Sequence, residues 1–234
     1  ERGITVTNIP AYSTPSVAQM VFAHILNITQ RVQHYTDEIH KGRWTNSPAF
    51  LLLGHSAHRT EWQENRYHRS WANRLQHRPH RHRLRHGSTC IHIQIAFPAS
   101  SRNQKKRSST NFFVNCDIIS LHCPLTDSTR ELVNAARLKQ MKPNAILINT
   151  GRGPLVNEQD LADALNNGTI FAAGLDVLSQ EPPRADNPLL TARNCYITPH
   201  IAWASAAARE RLMQIMLDNI KAFLDEKPIN SVIK

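Results

Sequence analysis

Three residues that could take part in chemistry follow predicted strands in the second half of the chain: Arg152, Asp176 and His200. Arg152 stands between Gly151 and Gly153, just after an apolar run and a turn cluster. A guanidinium held where glycines let the backbone approach a ligand closely is typical of an anion-binding site. The alternative is a surface turn whose arginine is merely solvated, and this motif taken alone favours that alternative.

The elements that must position these residues alternate between strand and helix. Apolar runs predict strands over 117–121, 145–148, 170–177 and 196–198, helices follow caps at Asn134 and Asn157, and a last helix covers 205–226. This alternation predicts an α/β fold with a doubly wound, Rossmann-type parallel sheet. Ligands of such sheets bind at the carboxyl ends of the strands. Arg152, Asp176 and His200 lie at or just past such ends, so we expect them at one edge.

The amino-terminal part predicts one strand and one long helix. The β-branched alternation over 3–7 predicts a strand, and Ser13 or Thr14 can cap the helix that follows. Apolar residues at three- and four-residue steps continue that helix to a stop at Gly42. In the last helix, 205–226, one side is predicted to be apolar: Ala208, Leu212, Ile215, Ile220 and Phe223.

The net charge of +10 belongs to a single block. Residues 51–111 hold 12 of the 28 Lys and Arg, only two acids and eight of the 13 histidines, while the rest of the chain is balanced. No run of 18 apolar residues is present, so no transmembrane helix is predicted. The four cysteines show neither metal-ligand spacing nor a disulfide framework, which favours a reducing, cytoplasmic setting. Glu1 stands first with no leader after it, so we expect a fragment whose natural start lies upstream.

Five motifs in order resemble those of the NAD-dependent D-2-hydroxyacid dehydrogenases. They are CDIISLHCPLT at 116–126, KPNAILINTGRGPLV at 142–156, GLDV at 174–177, EP at 181–182 and TPH at 198–200. The resemblance covers 112–234 and 3–44, and the segments NIPAYS and HIAW place it nearest the glycerate dehydrogenase (hydroxypyruvate reductase) branch.

The resemblance implies a catalytic set. Arg152 would pair with the carboxylate of a small 2-hydroxy or 2-keto acid and polarise the keto group. His200 would act as general acid in reduction and as base in the reverse direction, and Glu181 would hydrogen-bond it and stabilise its protonated form. Asp176 would orient the nicotinamide of NAD, which carries the hydride. Further residues would line the cofactor together with Arg152, Asp176 and His200: Cys123, Pro124, Thr150, Gly151 and Trp203.

The glycine fingerprint that the family places between the first helix and the strand at 117–121 is missing. Only Gly54 and Gly87 occur between Gly42 and Gly151, so no G-x-G-x-x-G can be written. Codons can be chosen for residues 66–74 that read GIIGLGQTG one base later, which contains the fingerprint. We therefore hypothesise that residues 51–111 are an out-of-frame translation, largely irregular and poorly ordered, and that NAD affinity is weak or nil because the pyrophosphate cradle is lost.

Two alternatives take the basic block at face value. Its Arg and Lys could contact phosphates while Trp62, Tyr67 and Trp71 stack on bases, but no nucleic-acid-binding domain pattern supports this. A histidine-rich metal site would use His77, His80, His82 and His86, but no cysteine or acid completes the set, and we predict no metal.

The predicted domain plan has three parts. Residues 1–14 are a remnant of a second, substrate-binding domain, residues 15–200 form the nucleotide-binding domain, and residues 201–234 form the final helix and the return to the substrate domain. The resemblance also implies a homodimer. The acid that would separate NAD from NADP lies inside the altered block, and the exact substrate stays open.

Overall fold

The structure, a computed structural model, describes residues 4–52, 93–95 and 110–232. The chain divides into two compact units, a larger one of residues 21–199 and a smaller one that joins residues 1–20 to residues 200–234.

A parallel sheet forms the centre of the larger unit. Its strands run in the order β1 (Ile93–Ile95), β2 (Ile118–Leu121), β3 (Ile146–Asn149), β4 (Ala172–Leu175) and β5 (Cys195–Ile197). Every neighbouring pair is parallel. At the carboxyl ends Leu121 pairs with Asn149, Asn149 with Leu175, and Leu175 with Ile197. Because these ends are in register, the loops that leave β2 to β5 start along one edge.

Both faces of this sheet are covered, as expected for a parallel sheet made of continuous apolar runs. Ile119 and Leu147 point into one core, with Leu155 and Leu161, while Ile118 and Ile146 belong to a second core on the other face. The second core is closed by residues of the first long helix: Val21, Ile25 and Ile28. The prediction of a doubly wound α/β sheet is therefore confirmed.

The described helices of the larger unit, besides the first long helix, are Val32–His40, Thr110–Asn115, Ala135–Leu138 and Glu158–Asn166, with 3₁₀ turns at Gly153–Leu155 and Pro188–Leu190. The side chains of Asn134, Asn157 and Asn187 accept hydrogen bonds from the backbone N–H groups of the turns they precede. These caps satisfy donors that a helix leaves unpaired.

The smaller unit joins the two ends of the chain. Its helix Ala206–Leu224 starts at Ser205, whose hydroxyl accepts from Ala208 N–H at 3.2 Å. Asn219 of this helix is buried, and its amide donates to the Asn8 carbonyl at 3.0 Å and accepts from Asn230 at 2.8 Å. A polar network therefore holds the amino-terminal segment to the carboxyl-terminal one.

Two expectations are wrong in detail. The predicted strand at 3–7 is reduced to a single bridge between Thr7 and Ser231, because no second strand is there to continue the ladder in the described part of the chain. The first helix, Thr14–Gln30, does not run on to Gly42: Arg31 has φ 48° and breaks it, so the apolar stripe ends and Val32 is 67% exposed. In the last helix, whose predicted apolar side includes Ile220 and Phe223, both of these side chains are exposed.

The middle block is described only in part. Between 51 and 111 the structure describes Leu51, Leu52, the strand β1 and the start of the helix Thr110–Asn115, and β1 was not predicted. The predicted irregularity of the rest, together with residues 66–74 and the aromatic and histidine sets of the two alternatives, lies outside the described residues.

Candidate active site

Most of the predicted site residues follow the carboxyl edge of the sheet. Cys123 and Pro124 come just after β2, and Thr150 and Gly151 just after β3, with Arg152 next in the same loop. Asp176 follows β4 directly. These six residues share one edge of the larger unit because their strands end in register.

The side chain of Asn149, the last residue of β3, hydrogen-bonds to the backbone of the loop that carries Arg152. The Asn149 side chain is 1% exposed; its Oδ1 accepts from Gly151 N–H at 3.1 Å and its Nδ2 donates to the Arg152 carbonyl at 2.8 Å. One buried amide thus fixes the backbone on both sides of the turn. The sequence interpretation gave Asn149 no role beyond a turn cluster; its only signal is an amide at a strand end before Thr-Gly.

The two glycines that flank Arg152 are needed for different reasons. A Cβ at Gly153 would lie 2.0 Å from Leu178 C and 2.1 Å from Leu178 O, so only glycine fits against that backbone. A Cβ at Gly151 would lie 3.3 Å from the Leu121 carbonyl, which is tight but not closed. The close approach at Gly153 is therefore to the chain itself and not to a ligand.

Arg152 is exposed, and its Nη1 donates to the Gly151 carbonyl at 2.8 Å. A guanidinium has five N–H donors in a planar fork. The carbonyl accepts from one Nη group, so donors remain for an anion.

Asp176 is buried at the end of β4 and is 1% exposed. Its Oδ1 accepts from the Thr198 hydroxyl at 2.6 Å, and the same hydroxyl lies 3.2 Å from Nε2 of His24. Burial lowers the pKa of His24, and the Asp176 carboxylate opposes that shift. Thr198 and His24 were not predicted as site residues, because a histidine within a helical apolar stripe gives no signal of its own.

Glu181 is exposed, and its Oε1 accepts from Leu178 N–H at 2.9 Å. His200 belongs to the smaller unit, three residues past β5, where it is exposed with φ 55°. The predicted pairing of Glu181 with His200 stays a prediction. Trp203 lies in the smaller unit too, half-buried, with its ring centroid 6.3 Å from that of Tyr12 in an edge arrangement.

The loop after β2 contains a histidine that the sequence interpretation did not single out. Nε2 of His122 lies 2.7 Å from the hydroxyl of Ser120, and burial lowers the pKa of His122. The neighbouring Cys123 is half-buried, and burial raises the pKa of its thiol. Cys123 therefore presents a neutral thiol, a small and weakly polar surface, at this edge.

The nicotinamide end of a dinucleotide fits the residues at this edge. The hydroxyl of Thr150 is buried and has no hydrogen-bond partner among the described residues, so a ligand group could satisfy it. The sequence contains no G-x-G-x-x-G, the motif that is expected to cradle the pyrophosphate end. Within the described ranges no cluster of three His, Cys, Asp or Glu could hold a metal ion, and no helix there is long and apolar enough to cross a membrane.

Known proteins resemble this chain in sequence and in fold. The family model of the D-isomer specific 2-hydroxyacid dehydrogenase, NAD binding domain, matches residues 91–202. The match starts before the predicted end of the aberrant block and includes β1. The chain is 38% identical over 236 residues to a hydroxypyruvate reductase of Blautia hydrogenotrophica, covering 100% of this chain and 73% of that protein.

Two further proteins extend the comparison. A glycerate dehydrogenase of Methylorubrum extorquens is 33% identical over 253 residues, covering 99% of this chain and 72% of that protein. A solved acyclic imino acid reductase in complex with NADPH and D-Arg has a TM-score of 0.71 and 31% identity, covering 98% of this chain and 71% of that one. These matches favour the dehydrogenase interpretation over a nucleic-acid-binding insert. On fold, motifs and relatives together, the chain belongs to the D-isomer specific 2-hydroxyacid dehydrogenase family of NAD-dependent oxidoreductases.

Proposed function

We propose that this chain interconverts a small 2-keto acid and its 2-hydroxy acid, with hydroxypyruvate and glycerate as the substrate pair. The observation that carries the proposal is the loop after β3, held by Asn149, which presents an exposed Arg152 at the sheet edge that also carries Asp176. The buried hydroxyl of Thr150, in the same loop, has no hydrogen-bond partner among the described residues. The names of the hydroxypyruvate reductase and glycerate dehydrogenase relatives support the choice of substrate.

Arg152 would bind the substrate carboxylate. Arginine pairs with carboxylates through two parallel N–H donors, and such charge-assisted pairs are short and directional. The brace by Asn149 fixes the backbone from which the guanidinium extends. Replacing Arg152 by Lys would keep the charge but remove the fork, so the two substitutions Arg152→Lys and Arg152→Met separate charge from geometry.

His200 would exchange the proton with the substrate oxygen, and Glu181 would hold its imidazole in orientation. The described hydrogen bond of Glu181 to Leu178 N–H already fixes one carboxylate oxygen. When a general acid is removed by substitution, turnover falls and a higher substrate concentration does not restore it. His200→Asn would therefore lower kcat by about 100-fold or more, with a small change in KM.

The cofactor, when bound, supplies or accepts the hydride. Asp176, Thr150, Gly151, Cys123 and Pro124 would line its nicotinamide end, and the family resemblance adds Trp203 and His200 to this set. We propose that affinity for NADH is weak, because the glycine fingerprint that cradles the pyrophosphate is missing from the sequence.

The test is oxidation of NADH by the full chain, followed by absorbance, with and without hydroxypyruvate. At about 1 mM NADH, the upper end of usual KM values, we expect a rate that depends on hydroxypyruvate and saturates. Arg152→Met should abolish the saturation, whereas Arg209→Met, a matched change at an exposed helix position, should not. A rate that Arg152→Met leaves intact would overturn the assignment of the carboxylate site.

The domain plan, a reducing cytoplasmic location and a homodimer are part of the same proposal. Cys116, Cys123 and Cys195 carry free thiols, which supports a reducing location. Sedimentation equilibrium of the purified chain would test the dimer, and a monomer at all concentrations would contradict it.

A further inference from the structure

A buried hydrogen-bonded chain crosses the larger unit from the first helix to the end of β4. It joins His24 to Thr198 at 3.2 Å and Thr198 to Asp176 at 2.6 Å. His24 is 4% exposed and Asp176 is 1% exposed. Polar groups buried this deeply stay in a fold when hydrogen bonds satisfy them, and each member of this chain has such a partner.

The direction of the protons follows from the number of donors. The Thr198 hydroxyl has one hydrogen, and it donates that hydrogen to the Asp176 carboxylate. Towards His24 the same oxygen can only accept, so Nε2 of His24 must carry a hydrogen. Burial disfavours the charged imidazole, so the neutral tautomer with its proton on Nε2 satisfies the whole chain.

The space for His24 is made by Gly174, two residues before Asp176. A Cβ at Gly174 would lie 2.8 Å from Cβ and 2.9 Å from Cγ of His24, and 2.9 Å from Cδ1 of Ile148. A side chain at position 174 would therefore push the imidazole away from Thr198. Strand β4 thus provides the glycine against which His24 packs, and it is followed directly by Asp176, to which His24 is linked through Thr198.

We propose that His24 is a positioning residue, which acts through Thr198 to hold the Asp176 carboxylate in one orientation towards the amide group of a bound nicotinamide. The inference rests on the proposed function for the role of Asp176 and goes beyond it in naming the two residues that set its geometry. A carboxylate recognises an amide N–H only if one oxygen points at it, and a hydroxyl bound to Oδ1 fixes the rotation of the carboxyl plane.

The chain can be tested without any cofactor, by nitrogen–proton NMR correlations of the histidine rings in the full-length protein. His24→Gln identifies the signal of His24. We expect a neutral ring with the proton on Nε2, retained in Thr198→Ser and altered in Thr198→Val, which keeps the shape and removes the hydroxyl. A proton on Nδ1, or a signal that Thr198→Val leaves unchanged, would overturn the chain.

The functional arm measures NADH binding by fluorescence titration and the NADH dependence of hydroxypyruvate reduction. His24→Leu and Thr198→Val should each reduce kcat/KM for NADH by about threefold to tenfold, the range of one neutral hydrogen bond. His24→Gln, whose amide can replace the Nε2 donor, should recover most of that loss, and exposed His40→Leu should show none. Equal loss in His24→Gln and His24→Leu would show a purely structural role and overturn the proposal.

Failure of the two proposals can be told apart. If the wild-type chain neither binds NADH nor turns over, the proposed function fails and the positioning role falls with it, although the NMR signal still shows whether the hydrogen-bonded chain exists. If NADH binds and all variants with intact circular dichroism match the wild type, only the positioning role is overturned.

Discussion

Replacing Gly153 by alanine should destabilise the protein more than any other glycine-to-alanine change in the loop that carries Arg152. The added Cβ would lie 2.0 Å from Leu178 C, 2.1 Å from Leu178 O and 2.4 Å from Ser179 N. Comfortable carbon contacts are about 3.5–4.0 Å, so one backbone segment must move by about 1.5 Å. The clash is with backbone, and no rotamer change relieves it.

The expected magnitude follows from overpacking of a buried site. Overpacking costs about 1–3 kcal/mol, and a backbone clash belongs at the upper end or above it. For a domain of this size each kcal/mol lowers Tm by about 2–4 °C, so we expect a fall of about 6–12 °C. Arg152 moves with its neighbour, so kcat/KM for the keto acid should fall as well.

The assay is urea denaturation followed by far-ultraviolet circular dichroism, with thermal melting as a second measurement. Gly168→Ala is the matched control: it meets open space but has φ +70°, so it should lose only the left-handed backbone term of about 1–2 kcal/mol. Gly151→Ala, with its nearest contact at 3.3 Å, should lie between wild type and Gly153→Ala. A Gly153→Ala protein as stable as the Gly168→Ala protein would refute the steric reasoning.

Three further predictions concern other parts of the larger unit. Arg31→Gly should raise the free energy of unfolding by about 1 kcal/mol, because it relieves the positive φ at the helix break and loses only a 3.4 Å contact to Asn194. Urea denaturation measures this free energy, and a loss of stability would contradict the prediction. Burial lowers the pKa values of His24 and His122, so the folded protein takes up protons less readily than the unfolded one. The free energy of unfolding should therefore fall as pH drops below about 6.5 and level off above it, and a flat profile would contradict this. Burial raises the pKa of Cys123, and that of Cys116 to about 11, so both thiols should resist alkylation at neutral pH; at higher pH the half-buried Cys123 should react first, and NADH should protect it, as mass spectrometry can show.

Local signals allowed much of the sheet edge to be predicted. The apolar runs before Asn149 and Asp176 predict buried strands, and the carboxyl ends of parallel strands meet, so Arg152 and Asp176 could be placed at one edge before the structure was known. The break at Arg31 could not be predicted, because the apolar periodicity of the first helix continues unbroken through Val32. Where the helix breaks depends on which residues find a packing partner in three dimensions.

The supporting residues escaped prediction for a related reason. Asn149 acts through hydrogen bonds to backbone atoms, and His24 acts through Thr198, which is distant in sequence. An amide at a strand end and a histidine in an apolar stripe each have many ordinary explanations. The seat of His24 on Gly174 depends on a 2.8 Å approach that no sequence pattern records. Strand β1 does carry a strand signal, because Ile91, Ile93 and Ile95 alternate with polar residues, but the hypothesis of an out-of-frame block gave this segment no regular structure.

The hypothesis of an out-of-frame block makes its own prediction. The nucleotide sequence that encodes residues 51–111, read one base later, should contain a G-x-G-x-x-G after an apolar strand. A frame without that fingerprint would remove the explanation for the missing cradle, while the substrate half of the site would stand unchanged.

The most direct test of the central claim is hydroxypyruvate-dependent oxidation of NADH by the purified chain and by Arg152→Met, each at about 10 µM and about 1 mM NADH. We predict a saturating rate for the wild type at the higher concentration only, and none for Arg152→Met. A full rate at the lower concentration would contradict the weak cofactor site. The absence of any hydroxypyruvate-dependent rate at the higher one, or an equal rate in Arg152→Met, would contradict the dehydrogenase assignment of this site.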